Sequence, residues 1–234
     1  MKYLKAIPII LLTIVANYSA YSQSIISTKT VKLRYGDQSG VLKIPVVSTK
    51  YPVLKKALAK QLFDPDDLKS TIANYKTCGC GTVGLDYAVM FENTKILSIK
   101  LEYETMGAYP DEYQKWLTYN KRNGKLYSLA NEINTTRLRY IYKCYRDTLR
   151  RRIAEDTVVN KEEEASDYAY LKSAIDSLTR DELLHDYVFT KDGIVFTMDQ
   201  ILPHAVQVYE PDRDLFIPYE KLRRYKLPAA VVVK

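Results

Sequence analysis

The chain has 234 residues, with 35 Lys and Arg against 28 Asp and Glu, so its formal net charge is +7. That length is enough to bury a real hydrophobic core in one large domain or two small ones. Three cysteines and two histidines leave a structural metal centre short of ligands, and no metal or other cofactor is expected.

The N-terminus reads as a secretory signal peptide. Lys2 and Lys5 give a positive start, Ala6 to Ala16 is nearly all apolar, and Ala20-Tyr21-Ser22 supplies small residues for cleavage before Gln23. The apolar run is shorter than the ~20 residues that span a bilayer. Residues 1–22 are therefore set aside, and the mature chain, Gln23 to Lys234, keeps a net charge of +5 after two lysines are lost. The expected location is a periplasm or the cell exterior, without stable membrane insertion.

Residues 23–130 begin with a hairpin signal. Thr30 to Tyr35 and Val41 to Val47 alternate apolar and polar residues around Gly36 to Gly40. Tyr51 to Phe63 then changes to helical period, with Leu54, Leu58 and Leu62 on one face. Asp64 followed by Pro65 predicts the start of a second helix. Lys76 to Gly84 reads as a glycine-rich loop. It matches a dinucleotide-binding spacing, but it lacks the strand before and helix after that such a loop requires.

Its Cys78 and Cys80, with Cys144, are the candidate disulfide residues. A ring between Cys78 and Cys80 is small, so a bridge from one of them to Cys144 is preferred.

Leu85 to Phe91 and Leu97 to Tyr103 alternate strictly and predict a second hairpin. Thr105 to Glu112 reads as a loop, Tyr113 to Asn120 as a strand, and Lys125 to Ser128 as its return across Asn123-Gly124. Tyr103, Tyr109, Tyr113 and Trp116 gather around this loop. Exposed aromatics can stack on sugars or anchor a protein partner, although half-buried strands are also rich in tyrosine.

Residues 131–234 open with a long helix, Asn131 to Asp156. Its apolar stripe is Leu138, Tyr142, Tyr145, Leu149 and Ile153, and a basic stripe runs through Arg139, Lys143, Arg146 and Arg150. That stripe could neutralise phosphates, but an exported protein is not expected to meet nucleic acid. It reads instead as a solvated helix face, with contact to an anionic polymer such as an envelope polysaccharide as the milder use of the same residues. An acidic break around Glu162 to Glu164 separates it from a helix through Tyr168, Leu171, Ile175 and Leu178. Thr179 and Glu182 form a capping-box pattern. Two aromatic strands, Tyr187 to Thr190 and Ile194 to Met198, follow around Asp192-Gly193. The Pro203-His204-Ala205 segment, an apolar strand and Pro218-Tyr219 before a last helix complete the chain.

The order Glu182-Leu183-Leu184, Tyr187 to Thr190, Asp192 to Phe196, Pro203-His204-Ala205, Ile217-Pro218-Tyr219 and Leu222 resembles the extracellular domain of the lysozyme-sensing anti-sigma factor RsiV. It is similar also to the non-catalytic region of the peptidoglycan deacetylase PdaC. Ile96 to Tyr103, Gly107-Ala108, Tyr119-Asn120 and Gly124-Lys125-Leu126 fit the companion region of that domain family, most of whose members have no known role. His204 stands where the family has an aromatic, and no glycine follows it before Pro211.

The expectation is an α+β unit, an antiparallel sheet with helices mainly on one face. The resemblance implies an exported, non-catalytic envelope protein that binds a peptidoglycan-like glycan or a secreted protein such as lysozyme. The candidate surface combines Tyr103, Tyr109, Tyr113 and Trp116 with His204 and Tyr209. An envelope hydrolase or deacetylase, and a purely structural module, are the alternatives. No catalytic constellation stands out, and both His185 and His204 read as packing or solvent-exposed residues.

Overall fold

The computed structural model describes residues 24–64, 66–159, 165–198, 201 and 210–233. The signal segment, the Glu162 to Glu164 break, His204 and Tyr209 lie outside them.

The fold is α+β with two sheets. The first has five strands in chain order: β1 (Ile26–Tyr35), β2 (Gln38–Val47), β3 (Gly81–Glu92), β4 (Ile96–Met106) and β5 (Pro110–Asn120). The second has three: β6 (Asp186–Phe189), β7 (Gly193–Thr197) and β8 (Leu215–Pro218). All neighbours are antiparallel except β2 and β3, which are parallel over two residue pairs. The α+β class is as expected, and the antiparallel pairing holds throughout except at this one contact in the first of two sheets. Helices α1 (Pro52–Leu62) and α2 (Leu68–Cys78) lie between β2 and β3, and this excursion returns the chain in the same direction. Helical period reveals the excursion but not the direction in which the next strand enters.

Each sheet has its own helical layer. Leu54, Leu58 and Leu62 of α1 and Tyr75 of α2 pack with Leu42, Ile44, Leu97, Ile99 and Leu101 of the first sheet. Helix α3 (Thr135–Val159) contributes Ile141, Tyr145, Leu149 and Ile153 to a second cluster. α4 (Ala165–Ser177) contributes Tyr168, Leu171 and Ile175, and α5 (Arg180–Leu184) contributes Leu183. These surround Phe189, Ile194, Phe196 and Ile217 of the second sheet. The i, i+4 spacing of Ile141, Tyr145, Leu149 and Ile153 is what one-sided burial of a helix requires. The lobes meet where the Phe189 amide donates to Ser98 Oγ at 3.2 Å, while Ser98 and Thr118 share a 2.7 Å hydrogen bond.

Several boundaries differ from the sequence reading. The N-cap of α2 is Asp67, whose Oδ1 accepts from the Ser70 amide at 2.8 Å, rather than Asp64. The expected loop from Lys76 begins only at Gly79, because α2 continues through Cys78. The expected loop from Thr105 to Glu112 is mostly strand: β4 runs to Met106 and β5 starts at Pro110. The Lys125 to Ser128 return is a single bridge between Tyr119 and Leu126. The expected last helix is a pair of 3₁₀ turns, Tyr219–Lys221 and Arg223–Tyr225. The Thr179/Glu182 capping box forms as read.

The disulfide preference is corrected as well. Cys78 bonds to Cys80, and Cys144 is a free thiol on α3. Gly79 between the paired cysteines has φ +66, a left-handed turn that suits glycine and brings their Cα atoms to 5.2 Å. A β-carbon at Gly79 would also lie 2.6 Å from the Tyr35 ring.

Candidate functional site

Strand alternation sorts the side chains of the first sheet into two faces. One face lies under α1 and α2. On the other, the second lobe covers Ile96 and the Ser98–Thr118 row, Trp116 is buried on the next row, and the rows from Glu102 onward are open. On this face, Lys100 opposes Trp116, Asp86 opposes Glu102, which opposes Gln114, and Gly84 opposes Glu104, which opposes Glu112. Gly84, Asp86, Glu102, Glu104, Glu112 and Gln114, with Ser39, Val41 and Lys43 of β2 and together with Tyr103 and Tyr113, line a groove of about 520 Å³, and the Lys100–Trp116 pair lies beyond these lining residues.

The groove is acidic. Lys43 is hydrogen-bonded to Asp86, which holds the lysine above and the carboxyl below their usual ranges. Lys100 pairs with Glu102 at 2.8 Å and lies 5.7 Å from the Trp116 ring centre. Trp116 donates from Nε1 to Gln114 Oε1 at 3.0 Å and so fixes the amide. Glu104 and Glu112 have no ion-pair partner among the described residues. Gly84 is necessary beneath Glu104, because a β-carbon there would lie 2.6 Å from the Glu104 carboxylate. Such a groove offers hydrogen-bond acceptors and negative charge, and suits ammonium, guanidinium or hydroxyl donors.

The aromatic candidates divide between places. Tyr103 and Tyr113 stack at 4.5 Å on the α1 side, where the Tyr103 hydroxyl donates to the Leu62 carbonyl at 2.9 Å. Burial pushes both phenols up. Trp116 is on the opposite face and is buried, so it supports the groove wall rather than presenting a stacking surface. Tyr109 stands at the β4–β5 tip, 75% exposed. His204 and Tyr209 lie outside the described residues. His185 is exposed and hydrogen-bonded to Asp186 at 3.0 Å.

The basic stripe is partly engaged within the fold. Arg150 pairs with Asp176 at 2.6 Å, and Arg146 donates to the Tyr142 hydroxyl at 2.8 Å. Arg139 and Lys143 are exposed. The sequence pattern alone does not single out the groove carboxylates, although they alternate with the apolar positions that identify β3 to β5. Assembling them needed the strand register.

No family model and no curated protein matches the chain. Solved structures do match. One is a DUF3298 family protein from Pseudomonas aeruginosa PAO1, with a TM-score of 0.56 and 17% identity, covering 87% of this chain and 95% of that one. Another is a DUF3298 family member from Bacteroides fragilis NCTC 9343, with a TM-score of 0.52 and 16% identity, covering 87% and 93%. At these identities the likeness shows a shared fold.

Proposed function

We propose that the protein is an exported, non-catalytic envelope module that binds a cationic protein ligand of the lysozyme kind through the groove on its five-stranded sheet. The observation that carries this reading is the set of carboxylates Asp86, Glu102, Glu104 and Glu112 on one open face, with Glu104 and Glu112 lacking ion-pair partners among the described residues. The chain is basic overall, so the attraction is local. It acts within a Debye length of about 8 Å at physiological ionic strength, where the nearest charges decide. The resemblance to a lysozyme-sensing domain supports the ligand class, and the N-terminal signal pattern supports export.

The test is retention of lysozyme and of soluble peptidoglycan fragments on the immobilised mature chain. Lysozyme is expected to bind and to weaken steeply with salt. The triple variant Glu102→Gln, Glu104→Gln, Glu112→Gln should bind at least ~10-fold more weakly, equivalent to about 1.4 kcal/mol. Lysozyme binding that the triple variant leaves unchanged would rule out this site. Fragment retention that instead depends on Tyr109 would move the ligand to the glycan class.

A further inference from the structure

The structure assigns a second, anion-binding site to the opposite lobe, built around Arg137 and independent of the acidic groove. Arg137 stands in the first turn of α3, and its guanidinium is held between two rings. Its Cζ lies 3.8 Å from the centre of Tyr140 and 4.3 Å from that of Tyr225. Nη2 donates to the Lys221 carbonyl at 2.9 Å, while Nε is sealed from solvent with no hydrogen-bond partner.

Its electrostatic setting distinguishes this residue. The fold buries three charged residues, Lys121, Glu132 and Arg137, among those described. Lys121 has the Glu92 carboxylate at 2.9 Å, and Glu132 accepts hydrogen bonds from a hydroxyl and three amides. Arg137 is 6% exposed and has no carboxylate within ion-pair distance among the described residues. A buried cation without a counter-charge is costly, and an unpartnered buried donor adds to that cost. The two tyrosine faces offset part of it through cation–π attraction but supply no negative charge.

The surroundings add positive charge. Lys221 and Arg223 on the adjoining 3₁₀ turns and Lys226 just after them are exposed and have no ion-pair partner among the described residues, and Glu220 is the acid in that segment. The missing component is an oxyanion. A planar guanidinium presents its edge to two oxygens of a phosphate or carboxylate, and its rings hold that edge in place. Tyr140 is 52% exposed and its hydroxyl is hydrogen-bonded to the Cys144 thiol, a weak bond, so its ring is the wall that can turn outward and admit a ligand to the Nε edge. The ligand is a phosphate-type oxyanion, either free or the headgroup of an anionic lipid.

The test is calorimetric titration of the mature chain with inorganic phosphate, at ionic strength held constant with chloride, alongside sedimentation with phosphatidylglycerol and phosphatidylcholine vesicles. Saturable phosphate binding is expected, at least tenfold weaker in Arg137→Met and as tight or tighter in Tyr140→Ala. Co-sedimentation with phosphatidylglycerol alone identifies a headgroup, and phosphate binding without it identifies the free oxyanion. Absence of binding to either probe overturns the site, as does wild-type affinity in Arg137→Met. If Arg137→Met does not fold, the wild-type melting temperature decides: a rise that saturates at low millimolar phosphate, below the range of the general stabilising effect of this salt, supports the site, and no saturable rise overturns it.

Discussion

Replacing Glu132 with alanine is expected to lower the unfolding free energy by about 4 kcal/mol, a large share of the stability of an ordinary domain. Its carboxylate has no solvent exposure and serves as the anchor of the C-terminal segment. Oε1 accepts from the Tyr127 hydroxyl at 2.7 Å and the Val231 amide at 2.8 Å, and Oε2 accepts from the amides of Val232 and Val233, each at 3.0 Å. The Glu132 carbonyl also accepts from the Leu227 amide at 2.9 Å. Burial, followed by the bond to this carboxylate, pushes the Tyr127 phenol up out of its usual range. Alanine leaves four donors without a partner, in a place that water reaches poorly.

Truncation after Ala230 removes the opposite side of the same arrangement and leaves a buried carboxylate with one hydroxyl, so a similar loss is expected. Because both changes break one unit, the combined variant should lose little more than either alone. Urea unfolding of the three variants measures this, and losses that simply add would show that the tail and Glu132 act separately.

Lys121→Met is expected to cost about 3 kcal/mol. The ammonium, 4% exposed, donates to Glu92 Oε1 at 2.9 Å and to the Asn93 carbonyl at 2.8 Å, and lies 5.0 Å from the Tyr51 ring centre. Glu92 Oε2 in turn accepts from Ser24 Oγ at 3.0 Å, at the start of the described chain. Methionine keeps most of the volume but leaves the Glu92 carboxylate, 14% exposed, without its cation. Adding Glu92→Gln should recover at least half the loss, since a neutral amide is cheaper to bury than an unpaired charge. Denaturant midpoints measure the recovery. A double variant as unstable as Lys121→Met would mean that packing of the lysine stem, rather than charge, sets the cost.

What could be read from the sequence follows the range of the interactions. The β3–β4 hairpin, Tyr145, Leu149 and Ile153 of the α3 stripe and the Thr179/Glu182 cap arise within a few residues, and period or capping chemistry reveals them, whereas Ile141 takes the inward place expected of Leu138 and Tyr142, which are partly buried. The N-cap of α2 was misplaced because Asp64 and Asp67 are both good caps and local sequence does not separate them. Glu132 read as part of a helix, since its partners lie about a hundred residues downstream. Nothing local marks Arg137, because the ring of Tyr225 reaches it only through the tertiary fold, whereas the neighbouring Arg139 and Lys143 stand out by their spacing. The groove carboxylates depended on register, and the Tyr103 to Trp116 cluster divided because residues an odd number apart on a strand face opposite ways.

The five-stranded sheet is two ladders joined by a narrow seam. β1 and β2 pair over ten residues, whereas β2 meets β3 through Val41 with Gly84 and Leu42 with Leu85 alone. The first hairpin can therefore separate from β3 at the cost of few interstrand hydrogen bonds while keeping its own ladder. What holds it is side-chain packing, chiefly Leu33, Leu42 and Ile44 against the α1–α2 layer, with the Lys43–Asp86 pair and the 2.6 Å hydrogen bond between Thr28 and Tyr87 crossing the seam. Under mechanical load, or in thermal fluctuation short of unfolding, the sheet is expected to divide at this seam. Amide protons along β3 that face it then exchange with solvent before those between β3 and β4.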